Sequence, residues 1–257
     1  MDANITFSGG KMKLILIFAS ILFINGCISL APSSDKFEEK QIETTHFSLA
    51  VWEKNTIQKG LPLHIYFEGD GTPNPSDKVA FDFAQEDPFS NVVYVARPCQ
   101  WIKDNICTQK PEIYKEARFH KEIMAEMQEL TEYLMRKHHA PSVKLIGYDG
   151  GAVIALNMAG RIPTDQIITI AGITDVAAYN AYHGFPEMDE DNMENPADNL
   201  ALLESIPQVH YVGKDDTVTP KRLVERFVAR MKSPKSAVVK VVPETDHTNW
   251  KGVKLDY

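Results

Sequence analysis

Basic charge is scarce in this chain of 257 residues. Its 27 Lys and Arg are outnumbered by 35 Asp and Glu, for a formal net charge of −8. Nucleic acid is therefore excluded as a partner, because phosphate backbones are bound by clustered cations that displace counterions. Cysteine is scarcer still, at 3. Neither CxxC nor HExxH occurs, so no metal is expected. No GxGxxG follows an apolar run, which removes the dinucleotide fingerprint and any expected cofactor. The acidic stretch MDEDNMENPAD, residues 188–198, lacks the glycine-turn spacing of a calcium loop and reads as a solvated lid. His138-His139 reads as a favourable helix C-terminus and not as a metal pair. Internal repeats and long low-complexity tracts are absent too.

What is present suits one α/β domain with a sizeable core, since 44% of residues are hydrophobic and 24% charged. The N-terminus stands apart. KMKLILIFASILFINGC, residues 11–27, has two lysines, then an apolar run of about eleven residues, too short for a comfortable membrane span. This reads as a secretory signal, with the start at Met1 or Met12. Its end, Ile24-Asn25-Gly26-Cys27, resembles the bacterial lipobox, whose cysteine is lipidated and becomes the mature N-terminus; Asn25 is a departure, a smaller residue being usual there. A plain cleaved signal with an incidental Cys27 is the alternative. Residues 28–45 (ISLAPSSDKFEEKQIETT) read as a flexible tether, leaving residues 46–257 as the folded domain. The expected location is the cell envelope, lipid-anchored on the periplasmic face. Ile28 lacks the aspartate linked to inner-membrane retention, which favours the outer membrane.

Export bears on the other two cysteines. Cys99 and Cys107 lie in ARPCQWIKDNICTQ, and in an oxidising compartment a short-loop disulfide is the natural reading, with two free thiols as the alternative.

Apolar, β-branched runs recur at 47–51, 63–67 (LHIYF), 92–96 (VVYVA), 143–146 (VKLI), 167–171 (IITIA), 209–212 (VHYV) and 238–242 (VVKVV). Several are apolar throughout, as strands covered on both faces must be. Helical patterns fall between them, at 117–137 with apolar Ile123, Met127, Leu130 and Leu134, at 150–161, and at 221–231. This alternation predicts an α/β fold with a mostly parallel, doubly wound sheet. Residues 173–200 interrupt it as a lid-like insertion.

Within VKLIGYDGGAVIALNMAGR, Gly147-Tyr148-Asp149-Gly150-Gly151 has the form of a nucleophile elbow. There an apolar strand turns sharply into a helix, and small neighbours admit a strained backbone. Serine usually occupies the centre; here it is Asp149. The partners should follow in the order acid, then histidine. GKDDTVTP, after the run at 209–212, offers Asp216, with Asp215 as fallback. PETDHTNW, after the last run, offers His247. FEGDGTP follows LHIYF and supplies an oxyanion loop, with donors at Gly150 and at Gly69 or Asp70. Taken alone, EGDG is equally a tight turn.

Together these pieces resemble a bacterial lipoprotein branch of the α/β-hydrolase superfamily. The likeness is carried by EGDG, NVVYVARPCQ with ICTQ, EARF, IGYxGG, ITIAGITD, NPADNL, IPQVHYVGKDDTVTP and DHTNW, over roughly residues 63–250. It implies the α/β-hydrolase fold, an exported anchored location, a Cys99–Cys107 disulfide and a Ser-Asp-His hydrolase site of the ester-type class, with no particular substrate; the expected partner is a small-molecule substrate. It supports Asp216 and His247 and supplies Asp149 only as the nucleophile's place. Carboxylate nucleophiles in the superfamily act on sp³ carbon, as in haloalkane dehalogenases and epoxide hydrolases, which usually place a bulky aromatic where this chain has Gly150. A lid tyrosine serving an epoxide oxygen would be Tyr179 or Tyr182. The reading from a different class is an inactive hydrolase-like lipoprotein that binds or serves the envelope. Oligomeric state is not readable from the sequence.

Overall fold

The computed structural model describes residues 31–69, 78–101, 118–186, 192–232 and 237–257. Eight strands form a single sheet: β1 (Phe37–Glu43), β2 (Ser48–Lys54), β3 (Leu63–Phe67), β4 (Val92–Val95), β5 (Val143–Tyr148), β6 (Thr164–Ile170), β7 (Gln208–Gly213) and β8 (Ala237–Val242). Their order is β1-β2-β4-β3-β5-β6-β7-β8. β2 pairs antiparallel with β1 and β4, and every later pairing is parallel. The expected mostly parallel, doubly wound sheet is therefore present. The helices among the described residues are α1 (Val79–Glu86), α2 (Lys121–His138), α3 (Gly151–Ala159), α4 (Val176–His183), α5 (Leu200–Leu203) and α6 (Lys221–Ala229).

Side-chain alternation sorts the strands into two cores. In β3, Leu63, Ile65 and Phe67 join the layer containing Ile123, Met127, Leu130 and Leu134 of α2, Val153 and Ile154 of α3, and Phe227 of α6. Tyr66 joins the opposite layer, with Phe81 of α1, Tyr94 and Trp250. A strand covered on both faces must satisfy any polar group it buries. His64 does so through Nδ1 on Asp87 Oδ2 at 2.7 Å, and the Tyr66 hydroxyl donates to the same oxygen at 2.8 Å. Every residue of α3 is buried, which fits a helix apolar all round and wedged between the sheet and its neighbours.

The first half of the sheet departs from expectation. The segment read as a flexible tether contains β1, which pairs along its whole length with β2. FEEKQIE carries four charges, and only Phe37 and Ile42 are buried, so it lacks an apolar run. An antiparallel edge strand needs no apolar run, because its ladder bonds and a few inward side chains hold it. The folded domain consequently begins before residue 46. Residues just ahead of β1 are also engaged, since the Trp52 indole N–H donates to the Pro32 carbonyl at 3.0 Å.

The insertion at 173–200 is tied down at its base. Asp175 caps α4, its carboxylate accepting from the Ala178 amide at 3.1 Å and from Arg230 at 2.7 Å. Asn195 donates to Asp175 and accepts from the Val176 amide.

Deleting residues through Thr45 removes the buried Phe37 and Ile42 side chains and strips β1 from β2. Thermal denaturation is expected to shift down by about 10 °C, from roughly 2 kcal/mol per buried side chain.

Candidate active site

The elbow is built by steric exclusion. Asp149 sits at φ 49°, a left-handed conformation that non-glycine residues rarely adopt. Its amide donates to Ile170 O at 3.1 Å, and its carbonyl accepts from Ala152 and Ile173 at 3.1 Å each. Strand, helix and the next strand's end thus over-determine the strained residue, as such geometry requires. A methyl group on Gly147 would lie 2.4 Å from Gly151 O, and one on Gly151 would lie 2.3 Å from Phe67 O. The glycines of GYDGG therefore admit close backbone approach between β3, β5 and α3. Gly150 heads α3, where amides lack intrahelical acceptors and an anion is favoured.

The acid and the histidine arrive from the next two turns at the same sheet edge. Asp216 has a fully covered side chain. Its Oδ1 accepts from the amides of Val218 and Thr219, each at 2.8 Å, and its Oδ2 lies 2.7 Å from Thr219 Oγ1. His247 Nδ1 donates to Asp216 Oδ2 at 3.0 Å, and His247 Nε2 lies 3.5 Å from Asp149 Oδ1. The His247 carbonyl accepts from Trp250 Nε1 at 2.7 Å and from the Tyr148 hydroxyl at 3.3 Å, which fixes the histidine's backbone. Asp215 is exposed and takes no part.

One imidazole between two carboxylates sets the electrostatics. Burial alone would push His247 down, but hydrogen bonds to Asp149 and Asp216, with their charges, raise it to about 10. Burial works against ionising Asp216 as well, yet the hydrogen bonds from His247 and the Thr219 amide hold its carboxyl below the usual range. At neutral pH the histidine is thus an imidazolium. It cannot accept a proton until one of its two carboxylates loses its charge.

The oxyanion reading is changed at one position. The Gly69 amide donates to Glu68 Oε1 at 3.1 Å, so it is not turned toward Asp149. Glu68 is completely buried and must draw donors from its surroundings, and the Gly69 amide is one of them. Gly69 still flanks the nucleophile position, because a methyl group there would lie 3.1 Å from Asp149 Oδ2. Asp70, Cys27 and Cys107 lie outside the described residues. Cys99 is buried, at φ 69°. Of the lid tyrosines, Tyr179 packs on His183 and Phe185, and Tyr182 donates to the Thr217 carbonyl at 3.4 Å. Sequence reasoning missed Thr219, Trp250 and Glu68. A threonine three residues past an acid, and a Trp three past a histidine, are signals that gain meaning only once both turns face each other.

No family model matches the chain, and no curated protein matches it. Solved structures do. A chain described as an alpha-beta serine hydrolase homologue from Coxiella burnetii superposes with a TM-score of 0.54 at 18% identity, over 82% of this chain and 89% of that one. An esterase of Pyrococcus furiosus gives 0.62 at 14% identity, over 86% and 90%. The alpha/beta hydrolase GrgF from a Penicillium species gives 0.59 at 12%, over 83% and 92%. The chain has the α/β-hydrolase fold.

Two outcomes follow from this geometry. The His247 ring, titrated by NMR, should show a midpoint near about 10 that falls toward the ordinary histidine value in Asp149→Asn. Because the folded value is raised, the pairing stabilises the protein fully below about pH 6.5 and is lost as pH rises through about 10. Gly151→Ala should lower unfolding free energy by about 3 kcal/mol in denaturant titration, through backbone overpacking.

Proposed function

We propose that this protein is a hydrolase in which the Asp149 carboxylate is the nucleophile, acting on activated sp³ carbon. The observation that carries the reading is the placement of His247 between two carboxylates, Asp149 at 3.5 Å and Asp216 at 3.0 Å, which raises its proton affinity. A serine-type route needs a neutral histidine to take the nucleophile's proton. Here the nucleophile has no proton to give and the histidine none to take. Attack on an ordinary ester would form an anhydride that reverses, whereas attack on an epoxide carbon or a carbon bearing halide forms an alkyl ester.

The charges then close a cycle. Asp149 attacks carbon, the C–O or C–halide bond breaks, and the carboxylate becomes a neutral ester. With that charge gone, His247 faces Asp216 alone and its proton affinity falls. The released proton goes to an epoxide's alkoxide, or to solvent when halide leaves. Neutral His247, oriented by Asp216, takes a proton from water, and the resulting hydroxide attacks the Asp149 acyl carbon. The oxyanion is received at the head of α3, by the Gly150 amide. Collapse expels the alcohol, and the ion pair is restored. The fold similarity to esterases and serine hydrolases supports hydrolytic chemistry on a small molecule.

The wider reading comes from the sequence. Export, lipidation at Cys27, anchoring in the outer membrane and a Cys99–Cys107 disulfide are proposed with it, on the signal, lipobox and family resemblance. Palmitate labelling, lost in Cys27→Ala, tests the anchor.

His247→Gln should arrest the cycle at the ester. Incubated with styrene oxide or 1-bromohexane, it is expected to gain the mass of one alkyl group on the peptide containing Asp149. If neither native protein nor variant reacts, while Asp149→Ser hydrolyses p-nitrophenyl acetate, the protein is a hydrolase-like envelope component with a binding role.

A further inference from the structure

Glu68 directly follows β3, one residue before the glycine that flanks Asp149, and the cycle above does not use it. Its side chain is fully buried. Four donors converge on the carboxylate. Oε1 accepts the Gly69 amide at 3.1 Å, and Oε2 accepts the Tyr94 hydroxyl of β4 at 3.0 Å. The amides of Ala80 and Phe81, in the first turn of α1, complete the set. The residue at the head of that helix, Lys78, provides no side-chain cap, so Glu68 does that work from across the layer. The Gly69 carbonyl is held on its other side by Gln100 Nε2 at 2.9 Å. Gly69 is thereby held at both its amide and its carbonyl, directly beside Asp149 Oδ2.

We propose that Glu68 is a positioning residue for Asp149, its carboxylate gripping the Gly69 peptide, the start of α1 and Tyr94 so that a change in its charge shifts the wall of the site. This rests on Asp149 as nucleophile only for its effect on rate; the clamp itself does not. Among the described residues, the ionisable groups nearest it are Tyr94 on β4, Asp82 on α1 with Lys78 beside it, and Tyr148 and Asp149 across Gly69. Burial pushes the Glu68 carboxyl up to about 7, against the pull of its Gly69, Tyr94, Ala80 and Phe81 donors. Its charge therefore changes near neutrality, where Asp216 and the His247 imidazolium are fixed.

The sign follows from the donors. Ionised Glu68 accepts from all four. Protonated, it gives up acceptor strength on one oxygen and loosens either Gly69 or α1. Ester formation on Asp149 should therefore fall with acid. At pH 6 it should run about tenfold below its plateau, the ionised fraction of a group titrating near 7.

The test is a ¹H–¹⁵N titration of the full-length protein from pH 5.5 to 8.5. The Gly69 amide is expected to show one inflection near about 7, with the amides of Tyr148 and Gly150 following it. The inflection should vanish in Glu68→Gln, persist in His247→Gln, and move upward in Tyr94→Phe, which removes a donor from the carboxylate. A role in folding alone would move none of these midpoints. A Gly69 amide without inflection, or one whose inflection survives in Glu68→Gln, overturns the proposal. The second arm measures alkylation of Asp149 by styrene oxide against pH, in native protein and Glu68→Gln. Loss of the acid limb in the variant supports positioning, and an unchanged limb opposes it. If the native protein forms no ester at all, the nucleophile reading fails, and the amide titration still decides the role of Glu68.

Discussion

One cation sits at the centre of this structure. The His247 imidazolium is the shared counter-charge of Asp149, 3.5 Å from Nε2, and Asp216, 3.0 Å from Nδ1. Two carboxylates at one sheet edge would repel each other across a partly buried site, and the cation between them removes that cost. In the proposed cycle the same arrangement keeps the histidine protonated at rest and lets it become a base once Asp149 is esterified.

The backbone makes this arrangement possible. Asp149 is held at φ 49° by hydrogen bonds from Ala152 and Ile173 and to Ile170. The glycines around it allow β3, β5 and α3 to approach within distances that a methyl group would block. Gly213 does the same for the acid turn, where a methyl would lie 2.5 Å from Thr245 O. The turns carrying the acid and the histidine therefore interlock, and the Asp215 amide bonds Thr245 O across them at 3.0 Å. On the other wall Glu68 ties Gly69, Tyr94 and the first turn of α1 together, and Gly69 lies against Asp149.

Much of this was legible in the sequence because parallel sheets place functional groups just past their strands' C-terminal ends. Asp149, Asp216 and His247 each follow an apolar run, in the chain order the fold demands, and the structure brings all three together. What escaped has physical reasons. β1 hides in FEEKQIE because an edge strand can be nearly all charge. α1 went unread because its first turn is capped by Glu68, ten residues before the helix's flanking Lys78, and not by Lys78 itself. The Gly69 amide was assigned to substrate because nothing in EGDG reveals that the preceding glutamate is wholly buried and in need of that donor. Burial of a charged residue is a tertiary property.

The most direct test of the central claim is oxygen labelling. A single turnover of an epoxide by native protein in H₂¹⁸O, followed by mass analysis of the peptide containing Asp149, reports whether solvent oxygen passes through the carboxylate. The account predicts ¹⁸O in Asp149 and unlabelled diol from the first turnover. Labelled diol with an unlabelled Asp149 would contradict it.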